Sequence, residues 1–69
     1  MEHVADPDVE SLRQELQDAR LEEAEALRRA LHLRAIGESY ERMHAAMREV
    51  EKLRSKVTHL HLELRRRLH

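Results

Sequence analysis

Apolar side chains recur along this chain in steps of three and four. One run reads Val9, Leu12, Leu16, Ala19, Glu23, Ala26, Ala30 and Leu33. A second reads Met43, Ala46, Val50, Leu53, Val57, Leu60, Leu64 and Arg67. Both follow the order 3-4-3-4-3-4-3, each with one charged exception. This is the spacing at which a helix keeps a narrow apolar stripe turned towards another helix, the seam of a coiled coil. The runs are out of phase, because continuing the first reaches positions 37, 40, 44 and 47. The register break therefore falls within residues 34–40, around Gly37.

The two runs mirror one another about residue 38. Pairing residues whose numbers sum to 76 sets Leu33 against Met43, Ala30 against Ala46, and Ala26 against Val50. It continues with Ala19 against Val57, Leu16 against Leu60 and Leu12 against Leu64. Small residues of the first run often face larger ones of the second, which favours interdigitation. The poor match is Glu23 with Leu53. The mirror points to antiparallel helices.

Composition supports helices and little else. Of 69 residues 39% are charged, with one aromatic, one Gly, one Pro and no Cys. Leu, Ala, Glu and Arg, all strong helix formers, dominate, so the expected fold class is all-α. Asp6-Pro7-Asp8 suits a helix start, with Asp6 as cap and Pro7 at the first helical position, where no N–H is needed. Residues 1–8 accordingly read as a lead-in and residues 9–68 as the coiled-coil segment.

Charge reinforces the antiparallel expectation. Residues 1–25 hold nine acidic groups against Arg13 and Arg20, and residues 52–69 hold six basic groups against Glu63. Antiparallel packing lays the acidic half along the basic half. Such exposed pairs contribute only about 0.3 kcal/mol each, so they set orientation more than stability.

Two architectures satisfy the mirror. A helix continuous through Gly37 can pair with a second copy in an antiparallel dimer about 90 Å long, crossing near residue 38. Gly37, Ser39 and Ala35 would then permit close approach. Alternatively, Gly37 ends one helix, Ser39 caps the next, and the resulting hairpin dimerises into a four-helix bundle. Arg28, Arg29 and Arg34 before Gly37, with Glu38 and Glu41 after it, suit the dipoles of a hairpin. Against it, residues 35–39 contain no Pro, Asn or Asp, and an interior Gly costs a helix only about 1 kcal/mol. On propensity the continuous-helix dimer is the expected form.

A second apolar face widens the middle of the chain. Ala24, Leu27 and Leu31 lie roughly 90° or more from the centre of the stripe formed by Ala26, Ala30 and Leu33 at ~100° per residue. The apolar breadth over residues 24–36 suits a further helix, from another copy or a different protein; the equally weighted alternative is that Leu and Ala are common in helices and exposed apolar residues are ordinary.

Candidate chemistry changes this picture little. His59 and His61 are two residues apart and point to nearly opposite sides of a helix. His59 and Glu63 share a face, but two ligands do not make a metal site. His3, His32, His44 and His69 have no histidine at chelating distance, and solvated surface histidines are the simpler reading. Ser11, Ser39, Ser55 and Thr58 lack an evident base, and one Gly cannot build a phosphate loop. No enzyme, metal or cofactor is expected. Lys52, Arg54, Lys56 and Arg65 to Arg67 are able to reach phosphates, yet a leucine-zipper factor places its basic region before the zipper, and the net charge is −1. A solvated basic face matched to an acidic one is the plainer account, so nucleic acid is disfavoured as a partner. Membrane binding is disfavoured too: no apolar run nears the ~20 residues of a span, and no Trp or Phe anchors an apolar side. The segment Met1-Glu2-His3 lacks signal-peptide character, which makes cytoplasm or nucleus the expectation.

The expected function is a coiled-coil oligomerisation or protein-interaction module of a scaffold or adaptor protein, acting through self-association. The alternatives are a heterotypic module that receives a foreign helix on the 24–36 face and a small helical nucleic-acid regulator.

Overall fold

The structure is a computed structural model that describes residues 7–68. Two helices of 29 residues each, α1 (Pro7–Ala35) and α2 (Tyr40–Leu68), pack against one another as a hairpin. The rod measures 59 × 15 × 12 Å. Pro7 opens α1 with its missing N–H at a position that has no intrahelical acceptor, and Asp8 and Glu10 lie in the positive first turn. Arg65, Arg66 and Arg67 occupy the negative last turn of α2. Residues 1–6 of the expected 1–8 lead-in, Asp6 among them, lie outside the described residues, and its last two, Pro7 and Asp8, belong to α1.

The core is the seam, folded onto itself. Its outer half joins buried Leu16, Ala19 and Leu60 with half-buried Leu12, Val57 and Leu64. Its inner half joins Ala26, Ala30 and Val50 with half-buried Ala46 and Leu53. Apart from Leu53, whose counterpart is Glu23, the members of each cluster thus pair into numbers that sum to 76. Alanines on α1 leave room for valine and leucine on α2, so Ala19 and Val50 lose all exposure. Full burial of a side chain the size of Val50 contributes about 1.5–3 kcal/mol.

Glu23, the charged exception, stays half-buried at the seam's edge. Its carboxylate accepts a hydrogen bond from Arg54 Nε at 3.1 Å while Leu53 packs into the inner cluster. Two more ion pairs join acidic α1 to basic α2: Asp8 with Arg67 at 3.0 Å and Glu22 with Lys56 at 3.8 Å.

The helix does not continue through Gly37, which corrects the expectation drawn from propensity. Gly37 adopts φ 71°, the left-handed region that costs a glycine nothing. The Gly37 N–H donates to the Arg34 carbonyl at 3.2 Å, and the Glu38 N–H reaches back to the Leu33 carbonyl at 3.0 Å. This pair of bonds is a Schellman closure, which satisfies carbonyls that the end of α1 would otherwise orphan. Two residues later Ser39 Oγ accepts the Arg42 N–H at 3.3 Å, and the Ser39 carbonyl accepts the Met43 N–H at 3.0 Å. Ser39 is thus the N-cap of α2. Glu38 adds a carboxylate that accepts the Ser39 N–H at 3.2 Å and pairs with Arg42 at 3.5 Å. Propensity scored one glycine against a helix. It omitted the stop bonds, the cap and the intramolecular burial that the turn makes possible.

Candidate interaction surface

Folding into a hairpin turns most of the seam inwards. Val9, Leu16, Ala19, Ala26, Ala30, Val50 and Leu60 are buried, and Leu12, Leu33, Met43, Ala46, Leu53, Val57 and Leu64 are half-buried. This stripe is occupied within one chain. What remains for an outside partner is the apolar surface that the hairpin leaves uncovered.

Most of that surface lies near the turn, while Leu21, Leu62 and Leu68 are exposed singly farther along the rod. Ala24, Leu27 and Leu31 are all exposed on α1, Leu31 by 53%. Across from them α2 presents Tyr40, Met43 and Met47, and together with Ala30 and Arg34 these residues line a groove of about 300 Å³. The groove arises because the break at residues 36–39 brings the broad middle of α1 beside the start of α2. Tyr40 stacks on His44, with ring centroids 5.6 Å apart, which extends the rim along α2. Methionine suits such a place, since its unbranched thioether adapts to varied partner shapes. Met43 belongs to the seam period, whereas Tyr40 and Met47 fall outside it. Their signal was available: Tyr40 and Met47 are seven residues apart and share a flank of α2 with Met43.

The groove sits on a basic flank. At seven-residue steps on that side α1 carries Arg13, Arg20, Leu27 and Arg34, and α2 carries Tyr40, Met47, Arg54 and His61. The next row outwards holds Glu10, Gln17, Ala24 and Leu31 on α1, with His44, Glu51, Thr58 and Arg65 on α2. Five arginines stand on this side against Glu10, Glu51 and the Glu23 carboxylate, which already holds Arg54. The opposite flank mixes both signs, with Glu15, Asp18, Glu22 and Glu25 near Lys52, Lys56 and Arg66. The charge asymmetry therefore belongs to the groove's side of the rod.

Other surfaces converge less. A concavity of about 590 Å³ on α2 is lined by Glu51, Arg54, Ser55, Thr58, His59 and Leu62, all from one helix, so no second element closes over it. Among the described residues no group of three or more His, Cys, Asp or Glu is placed to hold a metal ion. No helix among them is long and apolar enough to cross a membrane. His3 and His69 lie outside the described residues. The chain matches no protein-family model, no curated protein and no solved structure.

Proposed function

We propose that this chain is a protein–protein interaction module of a scaffold or adaptor protein: a helical hairpin whose groove receives an acidic amphipathic helix from another protein. The observation that carries the reading is the exposed apolar groove of Leu27, Leu31, Tyr40, Met43 and Met47 on a flank rich in arginine. Apolar side chains at i, i+4 and i+7 of a partner helix would fill the groove, and its flanking carboxylates would meet Arg20 and Arg34. A second hairpin is a poorer occupant. Two basic flanks face to face repel, which weighs against the four-helix bundle.

The test is a titration with designed helical peptides that share one leucine stripe and differ in flanking charge. The glutamate-flanked peptide is expected to bind, to weaken as salt rises, and to lose binding to a chain carrying Leu27→Glu and Leu31→Glu. Equal binding of the lysine-flanked peptide would remove the charge argument. Undiminished binding to the double variant would remove the groove.

A second reading, self-association of two copies, has its own support in the mirrored seam. Each contact that α1 makes with α2 within one chain is available between α1 of one copy and α2 of another. Light scattering across a concentration series tests this reading, and a mass that stays monomeric into the millimolar range would end it.

A further inference from the structure

From the turn we infer that Gly37 is a hinge between two states, the hairpin and an antiparallel dimer of continuous helices in which Ile36 packs on the partner's Tyr40. This inference rests on the self-association reading, and in the dimer it takes Tyr40 away from the groove. Its starting point is a pair of exposed side chains. Ile36 is 57% exposed and Tyr40 74% exposed, one on each side of the turn. Their numbers sum to 76, the same constant that relates the members of the two core clusters, Leu53 apart.

If the turn straightens, the seam joins across it. The apolar positions then read Ala26, Ala30, Leu33, Ile36, Tyr40, Met43, Ala46 and Val50, in steps of 4-3-3-4-3-3-4. That series is symmetric about residue 38 and lacks a gap, and each of its two pairs of consecutive short steps, 30–33–36 and 40–43–46, is the kind of insertion that locally overwinds a coiled coil. Ile36 and Tyr40, both largely exposed in the hairpin, become the pair beside the two-fold axis. Glu38 lies about 180° away from them at ~100° per residue and keeps its carboxylate in water. The contacts on either side of the axis are those of the hairpin, exchanged between copies.

The local chemistry of the turn is compatible with both states. A Cβ placed on Gly37 would meet nothing within 4 Å, so only the positive φ favours glycine there. In a continuous helix the Schellman bonds and the Ser39 cap give way to ordinary i to i−4 bonds. The hairpin has the advantage of a linked chain, which holds the two arms at a high effective concentration. The dimer is therefore the state of concentrated protein, and substitution at residue 37 moves the balance.

Gly37→Ala tests this directly. Alanine disfavours the left-handed turn and favours the helix, and each dimer relieves two hinges, so dimerisation should tighten roughly a thousandfold. Light scattering should then give a dimer, and small-angle scattering a rod of about 90 Å in place of the 59 Å hairpin. Tyr40→Asp in the same chain should reverse the gain by about a hundredfold, since it buries an unpaired charge at the axis while suiting the first turn of α2 in the hairpin. A monomeric Gly37→Ala chain would overturn the hinge together with self-association. A dimer of 59 Å rods would overturn the hinge alone. Should that variant fail to fold, chains carrying Ile36→Cys and Tyr40→Cys separately can be mixed at millimolar concentration and oxidised. Preferential bridges between the two kinds of chain are expected. Absent or statistically distributed bridges would refute the proposal.

Discussion

At the scale of single residues, the energetics concentrate in few side chains. Val50 is the largest side chain that loses all exposure, packed with Ala26 and Ala30. Val50→Ala should destabilise the hairpin by about 1–3 kcal/mol, read from urea unfolding followed by circular dichroism. Glu23 offers the opposite change. It occupies a seam position but holds a single exposed arginine, and such pairs contribute about 0–1 kcal/mol. Glu23→Leu should raise stability by about 1 kcal/mol in the same assay, by extending the seam between the two apolar clusters. The identity of these seam residues was legible because burial follows a period of 3.5, and a period survives in the sequence whichever helix supplies the partner. Tyr40 and Met47 were harder to assign, because their exposure depends on which helix lies beside them. That is a property of the turn, not of the period.

At the scale of elements, the decisive feature is where α1 stops. The apolar pattern gave the phase break to within a few residues, and the mirror gave the antiparallel direction. Neither says whether the facing helix belongs to the same chain, since the contacts are identical in both cases. Interior propensity tilted the reading towards a continuous helix, because it weighs residues one at a time. The Schellman bonds of Gly37 and Glu38 and the cap of Ser39 form only when all of them adopt the turn together. Removal of the cap measures its share. Ser39→Ala should cost about 1 kcal/mol and lower the thermal midpoint while leaving helical content nearly unchanged. An equal loss from Ser55→Ala, an exposed serine inside α2, would show that capping is not the cause.

At the scale of the whole molecule, a two-helix rod has no second layer, so its stability and its binding are linked. Near the turn α1 contributes only Ala26 and Ala30 to the buried cluster, whereas Leu27 and Leu31 face outwards. The apolar side chains that would thicken this end of the core are instead offered to a partner. Leu27→Glu with Leu31→Glu should therefore change the stability of the free hairpin by no more than about 0.5 kcal/mol, as is usual for surface sites. The same change should abolish stabilisation by ligand. A glutamate-flanked helix at one hundred times its dissociation constant should stabilise the parent hairpin by about 2.7 kcal/mol, by mass action on the folded state alone. Thermal melts with and without peptide, on both chains, separate the two effects. A parent chain that melts unchanged at saturating peptide would show that the groove is surface without an occupant of this chemistry. If the double variant lost stability by itself, Leu27 and Leu31 would belong to the core, and the division between a folded seam and an offered groove would be wrong.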